Sequence, residues 1–512
     1  MNKFLAFCKK QYEERPLLCI MIIAFIPRIL SAIFAKGYGM HDDMFGPVQS
    51  MQEALDNIDT LYNDEPRLIL YPFVQYLIFG VCEFFKIFDP QSKMYVVRII
   101  HALYSLLSVY FSYKITLLIS NEKTAKKVGI ILALLWVLPY MSVRNLVEVV
   151  CIPPLMAAVY FIIQITNYER YKELYPYKNK LSNNTLALLA GLLFAVSFVI
   201  RYQTILIPFG ICIVLLFRKE IKSFCLLALS TIIFSALLLG IPENIIWGQP
   251  FQHLINYLQP QDISSYPNSP WYMVPLLLIG LLIPPLGIML FGGWLKTWKK
   301  YTILFIPVLL FILFHAIYPN KQERFMLTII PLYTLLCIVG WDEITEQYKF
   351  WKKHNKLVKG SWIFFWIINI LLLFIFTFTY GKKTRVESFT YLSQKDVRAL
   401  VIEFNESGPY FAPKFYLGKN HYKPIYYLYK DYVPEDLINH ISINFSVAPN
   451  YAIFFDDSSL EKRIKDFENN FRCKLKLETK IEPGLLDKVL HFTNPRHNKN
   501  YNAYIYTIKL TN

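Results

Sequence analysis

The sequence predicts an all-α polytopic membrane protein with about eleven transmembrane helices, followed by a small α/β domain. Hydrophobic residues make up 55% of the 512 residues and charged residues only 18%, whereas a soluble chain usually carries roughly 25% charged residues. The apolar residues are grouped in blocks of about 17–23, the length at which a helix crosses a bilayer. Because the blocks are continuous and do not alternate with polar residues, they predict helices and not a barrel.

The apolar blocks are the candidate membrane helices. Each is bounded by polar or basic residues, as the ends of a span require. In chain order the candidates are 17–35, 68–88, 97–119, 127–141, 145–166, 186–200, 202–217, 223–242, 271–293, 301–317, 325–341 and 361–380.

Short basic segments between these blocks set the predicted orientation. They are KTAKK (123–127), YERYKELYPYKNK (168–180), RKEIK (218–222), KTWKK (296–300) and KFWKKHNKLVK (349–359). Lysine and arginine favour the cytoplasmic side of a membrane, so these loops are predicted to lie inside. The loops that alternate with them, and everything after about residue 380, are then predicted to lie outside.

One apolar block, 68–88, is predicted not to cross the membrane. The basic N-terminal segment and the 123–127 loop are both predicted inside, so an even number of crossings must separate them. Three apolar blocks lie between them, and 68–88 has Pro72 near its start. We therefore expect 68–88 to lie in the outer interface or to re-enter, as part of a large first external loop.

Residues 385–512 differ in character from the multi-span module at 1–384. They are polar and rich in tyrosine, with strand-like runs YAIFFDD (451–457), KLKLETKI (474–481) and NAYIYTIKL (502–510). A helical pattern lies near 458–471. The sequence therefore predicts a small external soluble domain, whose role it does not indicate.

Charge and motif content exclude several functions. The net charge of +16 falls mostly in the short loops, where membrane orientation explains it, and no basic stripe with stacking aromatics suggests nucleic-acid binding. Neither a Walker A nor a Rossmann motif occurs, so no bound cofactor is predicted and an activated substrate must supply the energy of any reaction. The sequence contains no CxxC motif, so it suggests neither a zinc site nor a disulfide framework.

Polar side chains inside the apolar blocks or at their ends collect on the predicted outer side. Such groups are costly in a bilayer and usually functional. A single one of them is equally well explained as the polar end of its helix, but the set favours a shared cavity. Its members are Arg28, His41, Asp42, Asp43, Arg144, Glu148, Arg201, Gln203, Glu243, Trp247, His253, Trp271, His315, Lys321, Glu323 and Arg324.

Adjacent carboxylates near several cations suit one kind of chemistry. A carboxylate takes a proton from a hydroxyl as a general base, and Arg, Lys and His stabilise the negative charge on a departing phosphate. The alternative is that Asp42 and Asp43 hold a divalent cation through oxygen ligands. The Asp-Asp pair alone does not distinguish the two roles.

Five segments in order resemble the membrane α-mannosyltransferases that use polyprenyl-phosphate mannose, the group that builds glycosylphosphatidylinositol anchors and dolichol-linked oligosaccharides. That family has the multi-span C-type glycosyltransferase (GT-C) fold. The tail after about residue 385 is outside the resemblance. The matching segments are Arg28 with HDDMFGPVQ (41–49), VRNLVEVV (143–150), IRYQTILIP (200–208), NIIWGQPFQHLINYL…SPWYMVP (244–275) and HAIYPNKQERFMLTIIPL (315–332).

The sequence departs from the family pattern at the presumed base. Alignment on His41 places the family's catalytic Asp at Asp43, while Asp42 stands where the family has Pro. Either carboxylate is therefore a candidate. In the later motif, Asn320 replaces a His and Gln322 replaces a Glu, so one cation is missing near the presumed phosphate.

The resemblance implies an inverting transfer of a sugar, mannose in this family, from a polyprenyl-phosphate donor to a glycan or glycolipid hydroxyl on the outer or lumenal face. Asp43 or Asp42 is the expected base. The expected ligands of the donor phosphate are Arg28, Arg144, Arg201, Lys321 and Arg324. The expected substrate contacts are His41, Glu148, Gln203, His253, Trp271, His315 and Glu323.

Other functions remain open at this point. A lipid or sugar transporter or flippase also has charges that face a cavity. Such a protein is expected to have inverted repeats with broken helices, and the sequence contains no matching pair of interrupted apolar blocks. An inactive assembly subunit with a transferase fold is a second alternative. Within the transferases, the donor sugar is alternatively glucose or arabinose.

The sequence favours a bacterial inner membrane. The sequence is rich in Lys, Asn and Ile, and Cys473 is the only cysteine in the tail. Asn405 and Asn444 begin N-x-S sequons in the predicted external tail, which keeps the endoplasmic reticulum as the alternative.

Overall fold

The structure is a computed structural model that describes residues 2–40, 44–63, 68–175, 181–259, 269–404, 412–429, 448–495 and 498–510. The helices in chain order are α1 (Asn2–Glu14), α2 (Pro16–Phe34), α3 (Ser50–Asp56), α4 (Asp59–Asn63), α5 (Leu70–Phe84), α6 (Pro90–Ile119), α7 (Glu122–Leu134), α8 (Val137–Ser142), α9 (Val147–Val150), α10 (Ile152–Thr166), α11 (Tyr168–Leu174), α12 (Asn183–Ile200), α13 (Leu206–Phe217), α14 (Ile221–Trp247), α15 (Gln252–Leu258), α16 (Met273–Leu281), α17 (Leu286–Lys296), α18 (Thr302–Ile317), α19 (Ile330–Gln347), α20 (Lys349–Lys353), α21 (Asn355–Thr377), α22 (Lys383–Ser393), α23 (Leu460–Phe471) and α24 (Leu485–Thr493). The strands are β1 (Leu400–Phe404), β2 (Ile425–Tyr429), β3 (Tyr451–Phe455), β4 (Cys473–Ile481) and β5 (Ala503–Leu510).

The apolar blocks form helices, which confirms the predicted polytopic α-helical class. Seven helices within the described residues are long and apolar enough to cross a membrane. A continuous apolar run suits a helix in lipid because every backbone hydrogen bond is made within the segment. The seven are Pro16–Phe34, Pro90–Ile119, Val147–Thr166, Asn183–Ile200, Ile221–Trp247, Glu323–Gln347 and Asn355–Thr377.

The remaining apolar helices are bent or short. The pair α16 and α17 is bent by 114° and counts as an eighth span if the two form one crossing. Pro284 and Pro285 lie at the bend, where proline supplies no backbone N–H to continue a helix. Three more apolar helices have 10–17 residues: Leu70–Phe84, Tyr202–Phe217 and Thr302–Ile317. Length alone therefore does not separate block 68–88, predicted to stay at the interface, from the two short blocks predicted to cross.

The chain divides into two compact units, and the first comprises residues 1–32, 59–74 and 99–377. Its most buried helix is α19, which is almost enclosed from Ile330 to Trp341. Helices α17 and α19 approach closely at two glycines: a Cβ on Gly340 would lie 1.9 Å from the carbonyl oxygen of Gly293. Small residues allow such close approach of membrane helices. The 3₁₀ segment Glu323–Ile329, which contains Arg324, leads directly into α19.

The second unit comprises residues 33–58, 75–98 and 378–512. Its sheet has the strand order β2-β1-β3-β5-β4. Strand β1 pairs in parallel with β2 and β3, whereas β5 pairs antiparallel with β3 and β4. The predicted α/β character of the tail is confirmed, including its three strand-like runs and the helix near 458–471. Strands β1 and β2 are additional.

Alternation along the strands gives the sheet two apolar faces. On β1, Ile402 and Phe404 pack in one cluster with Phe389 of α22, while Val401 packs in another cluster with Phe467 of α23. Successive side chains of a strand point to opposite faces, so both faces are covered by helices. Met44, Val48, Phe79, Met94 and Val97 share the first cluster. These residues belong to the segments 33–58 and 75–98, which the sequence analysis placed in the multi-span module.

Candidate functional site

The motif that carries the predicted base lies partly outside the described residues. His41, Asp42 and Asp43 are not among them, so their roles stay predictions. Residues 36–40 before the motif and 44–56 after it belong to the second unit.

The residues before the motif pair with the start of the tail. The backbone N–H of Gly381 donates a hydrogen bond of 3.1 Å to the carbonyl of Lys36, and Gly37 and Gly381 form a parallel bridge. Gly37 has φ of +78°, and a Cβ there would lie 1.9 Å from the Gly381 carbonyl oxygen. Only glycine combines this backbone conformation with so close an approach. The approach to the motif is therefore fixed by backbone contacts.

The residues after the motif form a π-helical turn, Phe45–Gln49, that leads into α3. Gln49 Oε1 accepts a hydrogen bond of 3.0 Å from the Lys414 N–H, and Gln49 Nε2 donates one of 3.1 Å to Glu53 Oε1. Single π turns are rare and frequent at functional sites. Phe45 and Gln49 belong to the segment HDDMFGPVQ (41–49), which carries part of the family resemblance.

Three of the predicted charged residues meet in the first unit. Glu148 is only 1% exposed, and its Oε1 lies 3.4 Å from Arg201 Nη2 and 3.5 Å from Arg324 Nε. The three residues are far apart in sequence and all belong to the predicted polar set, and the structure brings them together. We call Glu148, Arg201 and Arg324 the charged cluster.

Each member of the charged cluster lies where a helix is interrupted. Glu148 is on the one-turn helix α9, Arg201 follows the last residue of α12 in an extended conformation, and Arg324 lies in the 3₁₀ segment Glu323–Ile329. The Thr328 hydroxyl donates to the Glu148 carbonyl at 3.2 Å, which links two of the interruptions. Non-helical backbone at membrane depth is tolerated where it is buried in protein or lines a cavity. The backbone breaks thus mark the same place as the charges.

Aromatic rings flank the cations of the cluster. The Phe325 ring centre lies 4.6 Å from the Arg201 guanidinium and 5.7 Å from that of Arg324. His315 packs against the same ring at 5.8 Å. His315 Nδ1 lies 2.9 Å from the Phe311 carbonyl, which only accepts, so this nitrogen carries the proton. Its Nε2, which is an acceptor in the neutral imidazole, is buried and without a hydrogen-bond partner among the described residues.

A second polar group follows Arg201 along the chain. Gln203 Nε2 donates to the Tyr257 hydroxyl at 2.5 Å, and the Tyr202 hydroxyl lies 2.8 Å from His253 Nδ1. Glu243 is buried and accepts the backbone N–H of His253 at 3.3 Å. Glu243 therefore binds the first turn of α15. Gln203 and His253, both predicted as substrate contacts, are thus each held by a neighbouring tyrosine hydroxyl.

The structure gives Arg28 other partners. Its guanidinium donates to the carbonyls of Ala24, Ala133 and Leu132 at 2.9–3.2 Å and to the Ser105 hydroxyl at 3.1 Å. These acceptors satisfy its donors within the protein. The observed contacts are those of a residue that joins α2, α6 and α7.

The other predicted residues are placed separately. Arg144 is buried with its guanidinium 4.3 Å from the centre of the Tyr140 ring. Lys321 is half-buried, Glu323 is exposed, and Trp271 is 67% exposed with its ring against Tyr272. Within the described part of the chain, no ion pair joins the side chain of Lys321, Glu323 or Trp271 to Glu148, whose described ion pairs are those with Arg201 and Arg324.

Residues missed by the sequence analysis lie nearby. The Tyr71 hydroxyl lies 3.3 Å from both His101 Nε2 and Asn145 Oδ1, and His101 Nδ1 lies 3.1 Å from the Arg144 carbonyl. His101 is a polar residue inside an apolar block, the same signal that identified Arg28. Tyr257 gave no such signal, because tyrosine is common at membrane interfaces.

The charged cluster has two guanidinium groups and one carboxylate. Arginine binds phosphate oxygens well because its donors form a planar fork. Among the described residues, no group of three or more His, Cys, Asp or Glu side chains is placed to hold a metal ion, and Asp42 and Asp43 lie outside that set.

Comparisons with known proteins agree with this architecture. The sequence model of the Alg9-like mannosyltransferase family matches residues 19–401. The structure is similar to ArnT from Cupriavidus metallidurans bound to undecaprenyl phosphate, with a TM-score of 0.58, 11% identity, and coverage of 96% of this chain and 97% of that one. It is also similar to the Archaeoglobus fulgidus oligosaccharyltransferase, with a TM-score of 0.54, 12% identity, and coverage of 88% and 69%. No curated protein matches the sequence.

Proposed function

The chain belongs to the Alg9-like mannosyltransferase family, and we propose that it transfers mannose from a polyprenyl-phosphate donor to a hydroxyl of a glycan or glycolipid. It is a membrane glycosyltransferase of the GT-C fold, as the predicted resemblance implied. The donor, the sugar and the mechanism are the proposed parts.

Two neighbouring guanidinium groups are the observation that carries the proposal. Arg201 Nη2 and Arg324 Nε lie 3.4 Å and 3.5 Å from the same oxygen of the buried Glu148. A phosphate offers negative charge and oxygens for both guanidinium groups. The side chains of Arg201 and Arg324 are 16% and 10% exposed, whereas that of Glu148 is 1% exposed. The cations are thus the accessible part of the cluster.

The lipid part of the donor is supported by the fold. ArnT, which has the same fold, is described as bound to undecaprenyl phosphate. A polyprenyl chain requires a site that opens to lipid. The apolar helices of the first unit are long enough to place such a site in the membrane. No nucleotide-binding motif is required, because the sugar–phosphate bond of the donor is already activated.

The proposed reaction is a single displacement. Asp43, or Asp42, takes the proton of the acceptor hydroxyl while the oxygen of that hydroxyl forms a bond to the anomeric carbon. The bond from that carbon to the phosphate oxygen breaks, and the polyprenyl phosphate leaves with the electron pair. Arg201 and Arg324 stabilise the charge that develops on the phosphate, a contribution of about 10²–10³ in rate for each well-placed donor. A β-linked donor gives an α-linked product.

The test is transfer of radiolabelled mannose by the purified protein in detergent. The donor is polyprenyl-phosphate mannose, and the acceptor pool is a lipid extract of cells that lack the protein. We expect labelled product with the native chain and below about 1% of that rate with Asp43→Asn, since the base supplies about 10²–10⁴ in rate. Asp42→Asn identifies the base if it, and not Asp43→Asn, abolishes transfer.

Asp466→Asn is the matched control, because Asp466 is an exposed carboxylate of the second unit on α23. It is expected to keep the native rate. Normal turnover of both Asp42→Asn and Asp43→Asn would show that neither is the base. Transfer from glucose or arabinose donors, but not from the mannose donor, would show that mannose is wrong while the reaction class holds.

The setting is part of the proposal. We place the protein in a bacterial inner membrane, with the transfer on its external face, following the positive loops of the sequence. Cysteine labelling of single-cysteine variants at Glu323 and at Lys352 measures the two sides. The proposal requires membrane-impermeant reagent to label the first position and not the second in intact cells.

A further inference from the structure

A large groove lies in the first unit, and none of the residues that line it belongs to the charged cluster. It has a volume of about 820 Å³ and is formed by α1, α7 and α21. Sites for small molecules commonly have volumes of roughly 300–1,000 Å³. The residues that carry the argument are Lys123, Lys126, Lys127, Lys359, Trp362 and Trp366.

The groove has more positive charge than the protein neutralises. Lys126 pairs with Glu122 at 2.8 Å, and Lys127 pairs with Asp342 at 2.5 Å. Lys123 and Lys359 are exposed and form no ion pair with any residue that the structure describes. Two lysines therefore remain for an anion that enters the groove.

The groove changes from charged to apolar along its length. On α21, Lys359, Trp362 and Trp366 recur at helical spacing and line the groove together. On α7, Lys127 is followed by Ile130 and Ile131 on the same wall. Seven helical residues rise by roughly 10 Å, so the charged end and the tryptophan end are separated by about that distance.

This order of groups is that of a membrane interface. Lysines lie at the depth of lipid phosphates, tryptophans lie at the boundary, and aliphatic residues lie among the acyl chains. Both basic segments of the groove, 123–127 and 349–359, are ones that the sequence predicts to be cytoplasmic. Basic pockets between membrane helices on that side bind the headgroups of anionic lipids.

We propose that the groove is a binding site for an anionic phospholipid. Lys123 and Lys359 bind the headgroup phosphate, and the first part of an acyl chain lies against Trp362, Trp366 and Ile130. A soluble phosphate compound would leave the apolar end uncovered. A zwitterionic lipid would leave the two lysines without a net countercharge. The site is separate from the transfer reaction and does not depend on the proposed function.

The test is lipid retention by the full chain in neutral detergent, measured by native mass spectrometry. The probes are phosphatidylglycerol and phosphatidylcholine with identical acyl chains. We expect the native chain to bind phosphatidylglycerol at least about 10-fold more tightly. The double variant Lys123→Gln/Lys359→Gln is expected to weaken phosphatidylglycerol binding about 30-fold, roughly 5-fold for each charge near a headgroup, and to leave phosphatidylcholine binding unchanged.

Lys352→Gln/Lys353→Gln is the matched control, because both lysines are exposed on α20 and outside the groove. It removes the same charge and is expected to keep native binding. Trp366→Ala is expected to weaken both lipids by about 5-fold. Equal binding of the two lipids by the native chain, or an equal loss in the control variant, would overturn the proposal.

Two further measurements cover other outcomes. Inorganic phosphate at millimolar concentration is expected not to displace phosphatidylglycerol, and complete displacement would show that the groove binds a soluble anion. If the double variant does not fold, the salt dependence of lipid binding by the native chain tests the proposal. The affinity of the native chain for phosphatidylglycerol, and not for phosphatidylcholine, must fall as salt is raised from 0.05 to 0.5 M. A salt-independent difference between the lipids would contradict the proposed role of the lysines.

Discussion

Arg28 lies within the apolar helix α2 and Arg201 directly follows the apolar helix α12, and the structure satisfies the two guanidinium groups differently. Arg28 is 2% exposed and donates to three backbone carbonyls and one hydroxyl. Arg201 shares one carboxylate with Arg324, and its Nη2 has no hydrogen-bond partner among the described residues. A guanidinium with satisfied donors connects helices, whereas one with donors to spare is able to bind a ligand.

The comparison also separates two explanations for a charged residue inside a membrane. The usual first hypothesis is that such a residue belongs to a functional site. For Arg28 the second explanation is a structural role, because acceptors from α2, α6 and α7 converge on it. The resemblance groups Arg28 with the phosphate ligands, and the following variants measure which explanation holds.

Arg201→Gln tests the ligand-binding side of the comparison and has the largest expected effect. Transfer is expected to fall about 10²–10³-fold, because one donor to the developing phosphate charge is removed. The melting temperature is expected to stay within a few degrees of the native value, since Glu148 keeps Arg324 as its partner. Arg324→Gln should behave alike. A large loss of stability with normal turnover of the folded fraction would contradict this assignment.

Arg28→Gln makes the same chemical change on the other side of the comparison. We expect the free energy of unfolding to fall by about 3 kcal/mol, because several buried hydrogen bonds are lost together. Turnover per folded molecule is expected to remain within about 3-fold of native. The measurements are thermal unfolding in detergent and transfer rate normalised to folded protein. Loss of turnover at unchanged stability would place Arg28 among the phosphate ligands, as the resemblance implies.

Tyr257→Phe sharpens the boundary of the site with a smaller effect. Tyr257 is 38% exposed and accepts a hydrogen bond from Gln203. Loss of one such bond is worth about 1 kcal/mol, so KM for the donor or acceptor is expected to rise about 5-fold with little change in kcat. Tyr71→Phe is the matched control, because Tyr71 is buried beside His101 and Asn145. It is expected to lower stability and to leave KM unchanged.

Lys382→Met extends the comparison to a half-buried cation that follows the last membrane helix. Burial, together with the neighbouring Arg385, lowers the pKa of Lys382 to about 8. The unfolded chain keeps a pKa near its usual 10.4, so it binds more protons than the folded protein between about pH 8 and pH 10.4. The charged lysine therefore destabilises the fold fully below pH 8 and not above about pH 10.4.

The expected result is that Lys382→Met melts at a higher temperature than the native chain at pH 7. This advantage should decrease as the pH rises from 8 towards 10, because the native lysine becomes neutral in the folded state. Thermal unfolding at several pH values measures the difference. Lys383→Met is the control, since it removes the adjacent positive charge. An advantage that does not change with pH would show that the effect is not the titration of Lys382.

Much of the fold was predictable because hydropathy is a local property. Every apolar block is largely helical, although blocks 127–141 and 271–293 are each divided between two helices, and the strand-like runs of the tail became β3, β4 and β5. Strands β1 and β2 were missed because β1 is flanked by polar residues and pairs with partners distant in sequence. The extent of the second unit was also missed, since Met44, Phe79 and Val97 read as parts of the multi-span module until their contacts are known.

Part of the site was predictable for a similar reason. Glu148, Arg201 and Arg324 were recognisable as charges that lipid does not favour, and each lies in a segment that carries the family resemblance. Which of them meet was not predictable, because a polar residue carries no local sign of its partner. Tyr257 and His101 show this limit: each is identified by what it contacts and not by its position in a motif.

The sequence by itself determined the membrane class, the family and the set of polar residues that need an explanation. These depend on composition, on runs of apolar residues and on short motifs, all of which are read along the chain. Only the tertiary structure decided the use of each charge. Arg28 lies 105 residues from one of its acceptors, Ala133, and Glu148 lies well over a hundred residues from Arg324. A buried charge takes its role from the groups that replace water around it, and folding brings those groups from elsewhere in the chain.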